Sequence, residues 1–411
     1  MIAALANGKS HIRNFSTSED CAATLRCLEQ LGVAINRNGH DVLVQGAGTR
    51  GLSAPQEPLD CGNSGTTMRL LAGILAGQNF EATLTGDESL CSRPMQRIIE
   101  PLEMMGAQIA SHEGRAPLTI RGRARLRPIE YELLVASAQV KSAILLAGLN
   151  ANGETKVVEQ TATRDHTERM LRWFGVAVKQ GDAPKEGQTF AALTGPATCH
   201  AREVNVPGDI SSAAFFIAAG ALLKDSSLEI ENVGLNPSRV EFLNVVKSSG
   251  LSVNFQDERE QANEPVGAIR VDGSHMAKER KDSPMTIDGD LIAGLIDELP
   301  LLAVMGSQLG GGIEIRNAGE LRVKEADRIA ATVAGLRAMG ADVKEFDDGL
   351  RVGGRTRLRG ARIDSRGDHR IAMTFAVAGL LAEGDTEIIG AECVGVSFPE
   401  FFELLSAVVE R

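Results

Sequence analysis

Five segments of the chain repeat one pattern of apolar and polar positions: an amphipathic helix, an apolar residue followed by glycine, and a short strand. Glycine directly after a periodic segment is a helix stop signal. The five glycines lie 74, 69, 75 and 90 residues apart, spacings longer than those of solenoid repeats, so each copy predicts a small α/β unit. The segments end in LEQLGVAI around Gly32, LEMMGAQI around Gly106, LRWFGVAV around Gly175, VKSSGLSV around Gly250 and LRAMGADV around Gly340.

Between these copies lies a second repeated element, a helix that is apolar on nearly all sides and rich in small residues. A helix without a polar face belongs in the centre of a unit, covered by the other elements. Each copy opens with small, polar or charged residues. The copies are GNSGTTMRLLAGILAG from Gly62, SAQVKSAILLAGLNANG from Ser137, GDISSAAFFIAAGALL from Gly208, GDLIAGLIDELPLLAVMG from Gly289 and GDHRIAMTFAVAGLLAEG from Gly367.

The two ends of the chain fit this pattern only in part. MIAALANG, from Met1 to Gly8, predicts the last two turns of a sixth buried helix, and GKSHIRNF its following strand. VSFPEFFELLSAVVER, from Val396, predicts an amphipathic helix that no glycine turn follows. We therefore expect a truncated version of a longer chain.

The openings of the buried helices predict an anion site. Helix N-termini carry unsatisfied N–H groups and a partial positive charge, and planar guanidinium groups suit carboxylate and phosphate. The same loops hold a set of basic residues, so we expect a small substrate with several anionic groups. These residues are Arg93, Arg164, Lys324, Arg328 and Arg370.

Composition narrows the class of protein. The 411 residues are 43% apolar with a net charge of −11, which indicates a globular protein and argues against nucleic acid as a partner. No apolar run is long enough for a membrane span. The six cysteines lack metal-ligand spacing and indicate a reducing cytoplasmic compartment. No motif indicates a metal or an organic cofactor, and we expect a monomer.

Eight motifs, in order, resemble those of the 5-enolpyruvylshikimate-3-phosphate synthase family. They are LDCGNSGTTMRLLAG, SRPM, ASAQVKSA, TRDHTERML, GDISSAAFFIAAG, DELPLLAV, ELRVKEADRI and GDHRIAM, and the resemblance runs from Met1 to Leu405. It implies an inside-out α/β fold of two domains, 1–207 and 208–411, each of three βαβαββ units around buried parallel helices. The sixth unit would be incomplete because the N-terminal segment is missing.

The resemblance also implies a reaction in the shikimate pathway to chorismate and aromatic amino acids. The enolpyruvyl group of phosphoenolpyruvate moves to the 5-hydroxyl of shikimate 3-phosphate, with release of phosphate. Asp297 matches the proton acceptor, and Glu325 matches the carboxylate that moves the methylene proton. Glyphosate would bind at the phosphoenolpyruvate site, near Gly65.

Two sets of substrate-binding residues follow from the same motifs. Lys141 is a second-tier candidate, His369 is as plausibly structural as catalytic, and Asn63 and Thr66 are expected to shape the loop at Gly65. The shikimate 3-phosphate set is Ser137, Ala138, Gln139, Arg164, Asp297 and Lys324, and the phosphoenolpyruvate set is Gly65, Arg93, Gln139, Arg328 and Arg370.

Two departures from the family pattern stand out, and the first leads us to expect impaired activity. The family's P-G-[DS]-K-S-x-x-x-R stretch, which binds both substrates, would precede Met1, and some members carry Lys where this chain has Val396. Two alternatives stay open. One is a ligand-binding pseudoenzyme of the same fold; the other is a UDP-N-acetylglucosamine enolpyruvyl transferase, for which Cys91 is the candidate reactive thiol.

Overall fold

The chain divides into two compact units. A computed structural model describes residues 1–273 and 283–409. The first unit comprises Met1–Val206 and Gln261–Glu264, and the second comprises Pro207–Glu260 and Pro265–Arg411. The chain thus passes from one unit to the other at Val206–Pro207, beside the boundary expected at 207/208. Within the described ranges, no helix is both long enough and apolar enough to span a membrane.

The structure of the first segment of unit one differs from the prediction for MIAALANG. Ile2–Leu5 forms a single 3-10 helical turn, where two turns of a buried α-helix were predicted over MIAALANG. The strand already begins at Ala6, because Ala6 is extended and pairs in parallel with Cys199. Of GKSHIRNF, the residues from Gly8 to Arg13 lie in β1 as predicted, and Asn14 and Phe15 follow the strand. The elements of this segment are β1 (Ala6–Arg13), α1 (Glu19–Gln30), β2 (Ala34–Asn38) and β3 (Asp41–Ala47).

The rest of unit one contains two βαβαββ repeats with one topology. In each repeat the first and second strands are parallel neighbours. The fourth strand lies between the second and the third and is antiparallel to both. The strands that close unit one return to pair with β1. In chain order the elements are β4 (Leu59–Asp60), α2 (Gly65–Ala76), β5 (Glu81–Thr85), α3 (Glu88–Ser92), α4 (Gln96–Met104), β6 (Gln108–His112), β7 (Arg115–Arg121), β8 (Glu130–Glu132), α5 (Ala138–Gly148), β9 (Gly153–Glu159), α6 (His166–Trp173), β10 (Val178–Asp182), β11 (Thr189–Gly195), β12 (Cys199–His200) and β13 (Glu203–Asn205).

Unit two also alternates helices and strands, and its middle segment repeats the βαβαββ order. Besides its α-helices and strands, unit two contains two 3-10 helices, Gly319–Val323 and Ala391–Val396. The others are α7 (Ile210–Leu222), β14 (Ser227–Gly234), α8 (Glu241–Ser248), β15 (Ser252–Gln261), β16 (Glu264–Asp272), β17 (Met285–Ile287), α9 (Leu291–Leu295), α10 (Leu299–Gln308), β18 (Ile313–Ile315), α11 (Arg328–Ala338), β19 (Val343–Phe346), β20 (Gly349–Val352), β21 (Arg362–Asp364), α12 (His369–Leu380), β22 (Glu387–Ile389) and α13 (Phe401–Val408).

The sheets of unit two differ in completeness. The sheet β17-β18-β20-β19 has the strand order found in the two repeats of unit one. The last segment, by contrast, contains only the parallel pair β21-β22 within the described residues. It is followed by the 3-10 helix Ala391–Val396 and by α13, whose Phe401 and Leu405 pack into the core of the unit.

The five amphipathic helices with a glycine turn are confirmed. They are α1, α4, α6, α8 and α11, and the glycine that follows each has a positive φ, which costs glycine no steric clash. These φ angles are 85° at Gly32, 107° at Gly106, 88° at Gly175, 83° at Gly250 and 90° at Gly340.

The apolar helices lie in the interior as predicted, but one of them is broken. The segment from Gly289 forms two helices, α9 and α10, where the sequence predicted one. Pro300 sits in the first turn of α10, where its missing N–H costs nothing. The break leaves Asp297 between the two helices, at the opening of α10 instead of inside a helix.

Helices α2 and α5 cross closely at Gly73. A Cβ added there would lie 2.2 Å from the carbonyl oxygen of Ala143, far inside van der Waals contact. Glycine is therefore required at this point because the backbone of the neighbouring helix occupies the space of a side chain. This crossing fixes the relative position of the two helix N-termini.

We expect Gly73→Ala to lower the free energy of unfolding by about 2 kcal/mol, because the added methyl group forces the two helices apart. Urea denaturation followed by circular dichroism measures this change. Gly395→Ala is the matched control, since no atom lies within 4 Å of its added Cβ. Equal stability of the two variants would contradict the close crossing.

Candidate functional site

The buried helices of unit one open with neutral hydroxyl caps. Ser64 Oγ accepts a hydrogen bond from Thr67 N at 3.2 Å at the start of α2, and Ser137 Oγ accepts one from Val140 N at 3.5 Å at the start of α5. Each cap adds no negative charge, so the positive end of the helix dipole is not neutralised. Both openings therefore remain suited to an anion.

Arg93 is held beside the start of α2. Its Nη2 donates to Asn63 Oδ1 at 2.6 Å and to Ser89 Oγ at 3.2 Å. Asn63 in turn donates from Nδ2 to Asp87 Oδ2 at 2.6 Å. The expected role of Asn63 in shaping this loop thus has a structural basis, because its side-chain amide bridges a carboxylate and the guanidinium.

Arg69 is a residue that the sequence analysis missed. This buried guanidinium donates from Nη1 to Gln139 Oε1 at 2.6 Å, and Gln139 Nε2 donates to Thr66 Oγ1 at 2.8 Å. A Cβ at Gly65 would lie 2.7 Å from Arg69 Nη1, so glycine leaves room for this arginine. The signal in the sequence was an arginine one turn after Gly65 inside an otherwise apolar helix.

Arg164 and Lys141 lie in different surroundings. Arg164 belongs to the partly exposed loop between β9 and α6. Lys141 is buried in α5, and its Nζ lies 2.9 Å from Glu159 Oε2 and 2.8 Å from Glu168 Oε1. Lys141 is therefore paired within the interior and is not placed to contact a ligand directly.

In unit two, three carboxylates surround one buried guanidinium. Arg328, at the start of α11, has a side chain only 2% exposed. Its Nε donates to Asp368 Oδ2 at 2.7 Å, its Nη2 donates to Glu325 Oε2 at 2.7 Å, and its Nη1 lies 3.5 Å from Asp297 Oδ1. Although burial lowers the pKa of Arg328, Asp368 and Glu325 outweigh it and raise the net value. The structure thus brings together three residues of the predicted site, Asp297, Glu325 and Arg328.

Arg370 joins the same group of side chains. Its Nη1 donates to the carbonyl oxygen of Asp297 at 3.1 Å and lies 3.6 Å from Glu298 Oε1. Glu298 is buried and also accepts a hydrogen bond from the Ser211 hydroxyl, which accepts one from Arg239. Burial raises the pKa of Glu298, and the positive charge of Arg370 offsets part of that increase. Asp368, Glu298 and Arg239 were not among the sequence candidates.

Lys324 is turned toward another partner. Its Nζ pairs with Glu320 Oε1 at 3.3 Å, one helical turn earlier, and the side chain is 25% exposed. Within the part of the chain that the structure describes, the ion pair of Lys324 is thus with Glu320 and not with the carboxylates around Arg328.

These contacts define what the residues can do chemically. Carboxylates beside fixed guanidinium groups can take up or release a proton while neighbouring cations hold a negatively charged substrate. Within the described residues there is no cluster of three or more His, Cys, Asp or Glu side chains arranged to hold a metal ion. Each unit thus has an α/β fold with guanidinium groups near the openings of its buried helices.

His369, the first residue of α12, lies beside Asp368 and Arg370. Burial, followed by the positive charge of Arg370, lowers its pKa from the ordinary 6.5 to about 4. The imidazole is therefore neutral at pH 7, which favours the structural interpretation of this residue over a cationic proton donor.

We expect His369 to make the protein less stable as the pH falls from about 6.5 toward about 4. In this window the unfolded chain binds a proton that the folded chain does not, so acidification favours unfolding. Between pH 7 and 5.5, unsubstituted protein should lose about 1 kcal/mol more than His369→Gln in urea titrations. The exposed His112 provides the control substitution His112→Gln. An unchanged slope in His369→Gln would show that the imidazole does not titrate in this range.

Comparison with known proteins names the family. The family model described as EPSP synthase (3-phosphoshikimate 1-carboxyvinyltransferase) matches residues 1–405. A 3-phosphoshikimate 1-carboxyvinyltransferase of Koribacter versatilis is 51% identical over 413 residues, covering 100% of this chain and 93% of the relative. One of Salinibacter ruber is 49% identical over 412 residues, with 99% and 93% covered. The EPSP synthase structure from Acinetobacter baumannii is 41% identical, with a TM-score of 0.86 and coverage of 99% and 92%.

The chain belongs to the EPSP synthase family. The resemblance inferred from the eight motifs is thereby confirmed, and so is the α/β fold class. The expectation of impaired activity gains no support from these comparisons, because the match covers the whole chain and more than nine tenths of these relatives.

Proposed function

We infer that this chain is a 3-phosphoshikimate 1-carboxyvinyltransferase. It transfers the enolpyruvyl group of phosphoenolpyruvate to the 5-hydroxyl of shikimate 3-phosphate and releases phosphate, in the pathway to chorismate. Membership of the family supports this reaction. The observation that carries it is the contact of Asp297 and Glu325 with one guanidinium, that of Arg328, because two carboxylates on a shared cation suit a reaction with two proton transfers.

The proton transfers divide between the two carboxylates. Asp297 takes the proton of the 5-hydroxyl while the hydroxyl oxygen of shikimate 3-phosphate attacks C2 of phosphoenolpyruvate. Glu325 protonates the methylene carbon of phosphoenolpyruvate. The resulting tetrahedral adduct then loses phosphate, and one methyl proton returns to a carboxylate as the double bond forms again. Arg328 contacts both carboxylates and keeps them in place through these steps.

Shikimate 3-phosphate would be held at the opening of α5. We assign to it Ser137, Ala138 and Gln139 at that helix N-terminus, where free N–H groups and the helix dipole favour a phosphate. Arg164 would add a guanidinium to the phosphate or carboxylate. Asp297 and Lys324 complete the set of residues that we assign to shikimate 3-phosphate.

Phosphoenolpyruvate would be held mainly by guanidinium groups. We assign to it Arg93, Arg328 and Arg370, together with Gln139 and the backbone at Gly65. Support comes from the fixed orientation of Arg93 by Asn63 and of Gln139 by Arg69. Preoriented donors lose little conformational entropy when an anion binds.

Two further properties belong to this proposal. We propose a monomer, so sedimentation equilibrium should give a mass near 43.6 kDa, and a mass near twice that value would refute it. We also propose a cytoplasmic location, where reducing conditions keep the six thiols free. Cell fractionation tests the second point.

Asp297→Asn and Glu325→Gln should each lower the rate of phosphate release by about 100-fold or more, because each removes one proton-transferring group. The assay measures phosphate from phosphoenolpyruvate with and without shikimate 3-phosphate. Asp290→Asn is the matched control, since this exposed carboxylate makes no side-chain cap bond at α9 and should leave the rate unchanged.

Three outcomes of this assay bear on the alternatives. Binding of both substrates without turnover by the unsubstituted chain would favour a ligand-binding pseudoenzyme. Turnover with UDP-N-acetylglucosamine that Cys91→Ser abolishes would favour the sister enzyme; in the structure the Cys91 thiol donates to the Gly86 carbonyl at 3.4 Å. Phosphate release that depends on shikimate 3-phosphate and is lost in both carboxylate variants is the result expected here.

A further inference from the structure

A second group of buried charges lies in unit one, apart from the residues assigned to the reaction. It consists of Lys141 on α5, Glu159 at the end of β9 and Glu168 on α6. The side chains are 1%, 5% and 0% exposed, and both carboxylates lie within 2.9 Å of the Lys141 ammonium. We call these three residues the buried triad.

The buried triad contains one cation and two carboxyl groups. Burial raises the pKa of Glu168, and Lys141 offsets only part of that increase. Burial alone would lower the pKa of Lys141, but Glu168 and Glu159 outweigh it and raise the net value. The two carboxyl groups also differ in their other contacts, because Glu159, unlike Glu168, accepts hydrogen bonds from the loop residue Thr163.

Glu159 also determines the shape of the loop that follows it. Its Oε1 accepts a hydrogen bond from Thr163 N at 3.1 Å and another from the Thr163 hydroxyl. The Lys141 ammonium donates to the Thr163 carbonyl at 3.5 Å. Three polar groups of Thr163 are thus bound to the triad, and the next residue in the chain is Arg164.

The buried triad also lies close to the opening of α5. Lys141 follows Ser137 by four residues and Gln139 by two, so it lies one turn inside the helix whose N-terminus carries both. A second link runs parallel to the first, because Ser142 on α5 and Thr167 on α6 join through their hydroxyl groups at 2.7 Å. The loop with Arg164 and the start of α5 are therefore joined by buried contacts.

We propose that Lys141 and Glu159 are positioning residues for shikimate 3-phosphate, fixing the Arg164 loop against the N-terminus of α5. The inference rests on the proposed function, because it concerns one substrate of that reaction. Neither residue touches the ligand. Their ion pair sets the spacing between the Arg164 guanidinium and the donors at Ser137 and Gln139.

Core stability alone is a poor reason for the buried triad. Apolar residues of similar volume often replace a buried ion pair without loss of stability, because desolvation cancels much of the attraction between the charges. Here the charged groups bind the backbone and the side chain of a loop residue, Thr163. This residue is next to Arg164, a substrate-binding candidate. Their arrangement is therefore better explained by control of the loop.

Lys141→Met tests the proposal. Calorimetric titration with shikimate 3-phosphate should show a Kd raised about tenfold, because the loop is no longer fixed, and the KM for phosphoenolpyruvate should change by less than about twofold. Lys156→Met is the matched control, since this lysine lies on β9, the strand of Glu159, but pairs with the exposed Glu130. It should leave both constants unchanged.

The two carboxyl groups provide an internal comparison. Glu168→Gln leaves the contacts of Glu159 with Lys141 and Thr163 in place and should bind shikimate 3-phosphate as the unsubstituted chain does. Glu159→Gln removes the charge that holds Lys141 and Thr163 and should weaken binding about as much as Lys141→Met. Equal effects of the two substitutions would overturn the assignment of Glu159.

Thr163→Val keeps the proposal testable if Lys141→Met does not fold. It removes one hydroxyl contact to Glu159 and should raise the Kd for shikimate 3-phosphate several-fold. Unchanged Kd in every folded variant, or equal weakening of both substrates, would overturn the positioning role. If the unsubstituted chain itself neither binds shikimate 3-phosphate nor turns over, the proposed function fails instead, so the two failures are distinguishable.

Discussion

The constraint on which the rest of this structure depends is that its central helices are buried on all sides. Such a helix has no polar face, so its residues can meet a ligand only where the helix begins or ends. The openings of α2 and α5 in unit one and of α7, α10 and α12 in unit two carry the polar side chains described above. Packing in the interior and chemistry at the helix ends are thus two results of one arrangement.

The two units use their helix openings differently. In unit one the caps are Ser64 and Ser137, which leave the positive helix ends without a countercharge. In unit two Asp209 and Asp368 cap α7 and α12, and Glu298 stands at the start of α10. Arginines balance these acids. The anion-binding roles proposed above therefore fall at the uncharged helix caps of unit one, whereas the carboxylates proposed for proton transfer lie among the arginines of unit two.

Much of the fold could be predicted because the repeated pattern is local. The sequence shows directly where a glycine follows an amphipathic helix. It also shows which helices have apolar side chains on all sides. The break between α9 and α10 could not be predicted in the same way, because apolar residues continue through Ile296 and only Pro300 hints at a new helix start. The opening turn at Ile2–Leu5 was misjudged because the pairing of Ala6 with Cys199 is not local.

The candidate site was predictable only where motifs or charges stand out. The motifs single out Asp297, Glu325 and Arg328, which the structure places in contact, but Arg69 was overlooked because an arginine in an apolar helix gives no sign of its partner. Gln139, that partner, lies 70 residues away. Lys141 was noticed for its charge, but only the fold shows that two distant carboxylates surround it. Contacts between separate helices are what a single sequence conceals.

The first sheet of unit one has a consequence for synthesis of the chain. Strand β1 pairs on one side with β3, which follows it closely, and on the other side with β12 and β13, which begin at Cys199. At a translation rate of about 5 to 20 residues per second, that second edge stays uncovered for roughly 10 to 40 seconds. An uncovered strand edge can pair with other chains. Strand β1 thus leaves the ribosome long before its second edge is covered, and unit one is vulnerable to aggregation until β12 and β13 emerge.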